Sequence, residues 1–250
     1  MINKQVLITG AGSGLGRELS LWFANSGARL CLLSKSFEKL IELKNKINSS
    51  ILYYSVDFEI KKNLDDVLTN ILEKNFIPDI IIHCCGGGFG VWNPIESAMA
   101  FQKLLDLNLM SAIQINSTLV SKMIDQKKGI VIHIGSTASA GAHGSVAYNT
   151  VKAALAAYVR SLGRELAATG VVITGIAPGG FIAQGNNMSR FQQNKPEEFA
   201  SYGLRLPAKR LVFAQEFIPV IKMLCEQKGP LFSGCMLPVD AGEGLAYTAH

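Results

Sequence analysis

The chain predicts an α/β fold: one doubly wound parallel sheet of about seven strands with helices on both faces. Three observations carry this. Short β-branched apolar runs alternate along the chain with longer stretches of helical period. Several of the runs, 79–85 above all, are apolar on both faces, as strands covered from both sides must be. Glycine clusters directly follow the first and fourth runs, and such sheets hold their ligands beyond the carboxyl ends of the strands.

The elements follow in order. Residues 5–9 form the first strand, and 15–26 a helix with Leu15, Leu19, Trp22 and Phe23 on one face. A second strand, 29–33, leads to a helix around 37–47. A third, 51–56, leads to a helix around 64–74. The fourth strand, 79–85, precedes a long helical stretch over 98–126. Then come a strand at 129–134, a helix at 148–168, a strand at 171–176, a helix at 213–225 and a last short strand at 236–239. Only 180–209 is long and without clear period, which reads as a substrate loop or lid.

Composition narrows the function. Of 250 residues, 48% are hydrophobic and 17% charged, which excludes a disordered chain and suits one domain spanning 1–250. The net charge is +5, but the bases are scattered in pairs such as Lys61-Lys62 and Lys127-Lys128. That pattern argues against nucleic acid and fits small anionic ligands. The cysteines, Cys31, Cys84, Cys85, Cys225 and Cys235, show no metal-ligand spacing and read as small buried hydrophobes in a reducing compartment. No signal-peptide layout opens the chain, and no run reaches the roughly 18 apolar residues of a membrane span. The expected place is the cytoplasm, with no metal.

Thr9-Gly10-Ala11-Gly12-Ser13-Gly14-Leu15-Gly16 joins the first strand to the first helix. Glycines let backbone approach a ligand, and free amides at a helix start suit a pyrophosphate. At the end of the second strand stands Ser34-Lys35-Ser36, with no acid before Glu38. A lysine between serines suits a ribose 2′-phosphate, which favours NADP(H) over NAD(H); alternatively Lys35 is a surface lysine. Asp57, after the third strand, either accepts from an adenine amino group or caps the next helix.

Tyr148 and Lys152 lie one helical turn apart on one face. An ammonium beside a phenol favours the phenolate, which a tyrosine needs to exchange protons near neutral pH. Ser136, twelve residues before the tyrosine, ends the fifth strand with a hydroxyl able to hold a substrate oxygen. The helix from Tyr148 is apolar nearly all round, through Val151, Ala153, Ala154, Leu155, Ala156, Ala157, Val159 and Leu162. A helix of that kind is buried on more than one side, which predicts a homo-oligomer, a dimer or tetramer.

Together these residues resemble the short-chain dehydrogenase/reductase family, in its single-domain branch of about 250 residues with a Rossmann-type sheet. Its glycine motif is met by Thr9, Gly10, Gly14 and Gly16, and its adenine-binding aspartate by Asp57. Its catalytic set is met by Asn108, Ser136, Tyr148 and Lys152, its Pro-Gly by Pro178-Gly179, and its C-terminal Val-Asp-Gly-Gly by Val239-Asp240-Ala241-Gly242. The resemblance implies a cofactor site of Thr9, Gly10, Gly12, Ser13, Gly14, Leu15 and Gly16, then Ser34, Lys35, Asp57 and Phe58. Cys85, Gly86, Tyr148, Lys152, Pro178, Gly179, Phe181 and Ile182 complete it. It further implies that Tyr148 is the acid/base, Ser136 orients the substrate oxygen, Lys152 favours the phenolate and binds the ribose, and Asn108 holds a relay water.

Three departures stand out. His83-Cys84-Cys85-Gly86 replaces the family's Asn-Asn-Ala-Gly. No threonine follows Pro178-Gly179 at the usual distance, and Gln184 is its candidate replacement. His83, at a strand end, reads as a structural histidine rather than a catalytic one. Pocket walls are expected from 89–93, 139–143 and 180–209. Phe89, Trp92, His143, Asn186, Asn187, Arg190, Tyr202 and Arg205 there suit a polar carbonyl or alcohol substrate, or else belong partly to a solvated lid. The implied activity is oxidoreduction between a secondary alcohol and a ketone. The alternatives are a nucleotide sensor or scaffold without turnover, and a sugar epimerase of the same fold.

Overall fold

A computed structural model describes residues 1–49 and 51–244. β1 (Gln5–Thr9) leads to α1 (Gly14–Asn25), β2 (Arg29–Ser34) to α2 (Phe37–Lys44), and β3 (Ile51–Ser55) to α3 (Lys61–Glu73). β4 (Ile80–His83) precedes α4 (Ala98–Leu105), a π turn over Asp106–Met110, and α5 (Ser111–Asp125). β5 (Gly129–Ile134) is followed by a 3₁₀ turn (Thr137–Ser139), α6 (Val146–Leu166) and β6 (Val171–Pro178). Then come β7 (Phe181–Ile182), α7 (Asn187–Asn194), α8 (Pro196–Arg205), β8 (Val212–Phe213), a 3₁₀ turn (Ala214–Phe217), α9 (Ile218–Glu226) and β9 (Met236–Val239).

Seven strands form one parallel sheet in the order β3-β2-β1-β4-β5-β6-β9. The alternating strand pattern divides the core. Val6, Ile8, Leu30, Leu32, Ile80 and Ile82 pack with Leu19 and Phe23 of α1, Leu40 of α2 and Ile221 of α9. Leu7, Cys31, Leu33, Ile81, Val131 and Ile173 face the other way, onto Leu64 and Ile71 of α3, Ile115 and Leu119 of α5 and Leu155 and Val159 of α6. Each face buries full apolar side chains, at about 25 cal/mol per Å² removed from water, which is why the runs are apolar throughout. Among the described residues no helix is long and apolar enough to cross a membrane.

Four differences from the expected elements have physical causes. The helix expected over 98–126 is one continuous rod broken by the π turn, which shifts the hydrogen-bond ladder by one residue around Asn108. The fourth strand stops at His83 because the chain peels away into the glycine run 86–88. The sixth strand extends to Pro178 because β9 pairs along Gly175 to Pro178. The segment 180–209 holds two helices and the strand β7, which pairs with β8. Its helices carry start signals: Asn186 caps α7 by accepting from the Ser189 N–H (2.8 Å), and Pro196 with Glu197 and Glu198 opens α8. Phe191 joins the two helices, edge-on to Phe199 and tilted against Tyr202.

Candidate active site

The sheet's carboxyl edge gathers the predicted residues. α1 opens at Gly14 with no side chain capping its amides and no acid in its first turn. Helix-start amides that follow a glycine turn suit an anion. The glycines here fill a tight cradle. A Cβ at Gly16 would lie 2.5 Å from the Gly10 carbonyl oxygen, and one at Gly10 would lie 3.0 Å from the Cys84 main chain. Gly14 donates its N–H to the Gln184 carbonyl (2.9 Å), so the root of the 180–209 segment rests on the glycine loop. Residues 9–16 therefore fit a dinucleotide pyrophosphate, and α1 and the loop would hold it.

Thr9 plays a bracing part: its buried Oγ1 accepts from the Cys85 N–H (3.1 Å) and ties β1 to the end of β4. Leu15 and Phe58, 4% and 6% exposed, are core side chains, one on each face of the sheet. Desolvation pushes the Cys85 thiol up to about 12 and raises the Cys84 thiol as well, which favours the protonated form of both.

The adenosine corner differs from the expected arrangement. Lys35 donates to Asp57 (2.8 Å) and reaches Glu59 (3.4 Å), and Lys103 reaches Glu59 (3.5 Å). The Asp57 Oδ1 also accepts the Glu59 N–H (3.1 Å). Burial pushes the Asp57 carboxyl up, but Lys35 and the Glu59 amide together hold it below its ordinary value. Asp57 is thus already engaged by the lysine that the sequence assigns to a 2′-phosphate. A second lysine escaped the sequence reading. A Cβ at Gly12 would lie 2.6 Å from the Ser34 Oγ and 3.1 Å from the Lys39 Cβ, so Lys39 rises beside the glycine loop. It makes no ion pair among the described residues. Its position in the first turn of α2 opposes the helix dipole, and that was the available signal.

The catalytic candidates converge. Lys152 is 4% exposed, and its Nζ donates to the Ile134 carbonyl (3.1 Å) and lies 5.7 Å from the Tyr148 ring centre. Asn108, 3% exposed in the π turn, accepts the Gly87 N–H (2.9 Å) and donates to the Gly87 and Leu104 carbonyls (3.0 and 2.9 Å). Its side chain is therefore spent on fixing the glycine run. A Cβ at Gly86 would lie 2.5 Å from the Asn108 Oδ1 and 3.3 Å from the Lys152 Nζ, so these groups close on one point. Ser136 accepts the Ala138 N–H (3.1 Å), which leaves its own O–H free to donate. Tyr148 sits in the first turn of α6, between two glycines. A Cβ at Gly144 would lie 2.7 Å from the Tyr148 Cδ1, and one at Gly88 would lie 3.8 Å from its ring. Asn149 holds the first of these walls, accepting the Gly144 N–H (2.9 Å) and donating to its carbonyl (3.2 Å).

β6 ends at Pro178, Gly179 follows against Glu243, and Phe181 packs edge-on against Phe217 (5.2 Å). His83 is buried and donates through Nε2 to the Asn116 Oδ1 (2.9 Å), a structural arrangement. Phe89 and Trp92 are exposed on the loop after the glycine run.

A doubly wound parallel sheet with a glycine loop at its carboxyl edge and a buried lysine beside a tyrosine has the layout of a dinucleotide-binding fold. A sequence model of the short-chain dehydrogenase family matches residues 4–194, and the chain belongs to that family of NAD(P)-binding oxidoreductases. The uncharacterized oxidoreductase YmfI of Bacillus subtilis is 28% identical over 250 residues, covering 96% of this chain and 99% of its own length. Levodione reductase of Leifsonia aquatica is 27% identical over 256 residues, covering 98% of this chain and 96% of its own length. The crystal structure of L-sorbose reductase from Gluconobacter frateurii, complexed with NADPH and L-sorbose, superposes with a TM-score of 0.88 at 23% identity, over 98% of each chain, a likeness of fold.

Proposed function

We propose that the protein is a cytoplasmic, NADP(H)-dependent oxidoreductase that interconverts a secondary alcohol and a ketone on a polar small molecule, with Tyr148 as acid and base. The observation that carries this reading is the buried Lys152 ammonium beside Tyr148, fixed by the Ile134 carbonyl at the point where Asn108 and Gly86 meet. A desolvated cation stabilises the phenolate that remains once Tyr148 has given its proton to a carbonyl oxygen. In the same step the Ser136 O–H donates to that oxygen and holds it in place. In the oxidative direction the phenolate takes the alcohol proton back. A bound nicotinamide cofactor would supply the hydride chemistry. The named relatives, a levodione reductase and an L-sorbose reductase, support a small dione or ketose as the substrate type.

Two lysines support NADP(H). Lys39 stands free beside Gly12 and Ser34, and Lys35 is an exposed lysine in a surface pair. Such a pair is worth about 0–1 kcal/mol, so a dianionic 2′-phosphate recruits Lys35 at little cost. Fluorescence titration is expected to show NADPH binding well ahead of NADH. Lys35→Ala and Lys39→Ala should each weaken NADPH about tenfold, the worth of one charged hydrogen bond, and leave NADH within about twofold. Equal binding of the two cofactors overturns the preference. Binding of neither overturns the oxidoreductase reading. Where NADPH binds, a panel of diones and ketoses follows, read by NADPH absorbance.

A homo-oligomer, dimer or tetramer, formed through α6 belongs to the same proposal. In the single chain Ala153 is exposed and Ala156 and Ala157 are half-buried, and their small side chains allow a second helix to approach closely. Sedimentation showing only a 27 kDa species at micromolar concentration would exclude it.

A further inference from the structure

Glu243 has no part in the chemistry above, yet both of its carboxylate oxygens are used. Oε2 accepts the Gly180 N–H (2.6 Å), and Oε1 accepts the Tyr202 O–H (3.3 Å). Gly179 lies flat against the same carboxylate, and a Cβ there would collide with it. The turn that presents Glu243 is built by Asp240, which accepts the Gly242 N–H on Oδ1 (3.0 Å) and the Gly244 N–H on Oδ2 (2.9 Å). Burial, then Glu243 itself, pushes the Tyr202 phenol up, so it stays a proton donor across the neutral range.

The surrounding segment is fixed unevenly. Its stem is pinned by the pairing of β7 with β8, by the Gly14 N–H on the Gln184 carbonyl and by the two-point contact of Arg210 with Glu216 (2.7 Å each). Glu216 also accepts the Phe213 N–H (2.7 Å). The arms α7 and α8 hold each other through Phe191, Phe199 and Tyr202. Among the described residues, the Tyr202–Glu243 contact is the one side-chain hydrogen bond from α8 to a residue outside the segment. A single polar tether on an otherwise self-contained pair of helices sets how often that pair lifts away.

We propose that Glu243 is a positioning residue: it ties the lid helix α8 to the turn at the end of β6 and so holds the substrate side of the cleft closed. The tether stands on the geometry, and the term substrate lid rests on the oxidoreductase reading above. Closure matters because a site that excludes water strengthens the Lys152–Tyr148 electrostatics and holds the substrate near them.

Limited trypsin digestion of the full chain tests the tether without any substrate, because Arg190 lies in α7 and Arg205 in α8, each followed by a residue other than proline. Cleavage follows the population of the opened form. Glu243→Ala is expected to speed cutting at these sites about fivefold or more, and Tyr202→Phe by less. Glu243→Gln keeps an oxygen for Gly180 and an amide for the Tyr202 oxygen, and should restore near wild-type rates. Cutting rates in Glu243→Ala equal to wild type overturn the tether. So does a rise in Glu243→Ala accompanied by equal cutting throughout the chain, which is general unfolding. With NADPH and a ketone from the panel above, Glu243→Ala should raise KM about tenfold with kcat within about threefold. An unchanged KM alongside fast lid cutting overturns the positioning role and leaves the tether. If the wild-type chain binds no nicotinamide cofactor, the oxidoreductase reading fails while the digestion still decides the tether.

Discussion

Tyr148→Phe is expected to lower turnover of any ketone substrate by a factor of about 10² to 10⁴ while NADPH binds within about twofold of wild type. The size follows from what is removed. The ring of residue 148 is held by the main chain at Gly88 and Gly144, and Asn149 fixes the second of these with two hydrogen bonds. Phenylalanine fits that slot unchanged, so the substitution deletes the proton donor and little else. Lys152→Met gives the complementary result. The Lys152 Nζ is buried on the Ile134 carbonyl, so its loss removes the charge that stabilises the phenolate and also leaves that carbonyl without its donor. Turnover should fall as far, with weaker cofactor binding besides. Steady-state NADPH oxidation and fluorescence titration on the same preparations separate the two effects. Substantial turnover in Tyr148→Phe would falsify the acid/base assignment, whatever happens to Lys152.

The sheet and the glycine loop were legible because both are written in local pattern. Strands buried on two faces must be apolar throughout, as in Ile80–Ile82, and a chain that turns tightly under a helix start must use glycine, as at Gly16. Tyr148 and Lys152 were legible for the same reason, since one helical turn fixes their relation. What escaped depends on contacts far apart in sequence. Lys35 and Asp57 were each singled out, but only the pairing of β2 with β3 brings them within 2.8 Å, where they engage each other. Asn108 was named without its π turn, because a one-residue slip in a helix leaves the apolar spacing nearly intact. The arms of 180–209 carry no apolar period because α7 buries no residue fully and α8 only Gly203. Glu243 gave no local signal, since its partners are 41 and 63 positions away. His83 was seen alone, although the register of β4 with β5 places it directly beside His133.

That histidine pair should make the protein acid-labile. The rings of His83 and His133 stack at 4.6 Å in the core, roofed by Asn116 and Tyr158. His83 donates to the Asn116 Oδ1, and the Asn116 amide donates to the Tyr158 oxygen (3.1 Å) and, at 3.5 Å, to the His133 Nε2. That pattern places the His133 proton on Nδ1, which is buried and has no partner among the described residues. Burial holds His83 down to about 4, with the Asn116 hydrogen bond working against it. Burial, then His83, then Lys152 hold His133 well below the usual histidine value. Both rings are therefore neutral in the folded chain while they protonate near 6.5 when unfolded. Stability from this source is complete above pH 6.5 and falls as the pH drops toward 4, because only the unfolded chain takes up the protons. Between pH 7 and pH 5 His83 accounts for about 2 kcal/mol, a large share of the 5–15 kcal/mol that an ordinary domain possesses, and His133 acts in the same direction. His133→Phe keeps the stack and the contact with Tyr158 but cannot titrate, and it removes the unpartnered Nδ1. Urea unfolding across that pH range should show its stability falling less steeply than that of the wild-type chain. Parallel curves for the two proteins would mean that His133 is not held neutral in the fold.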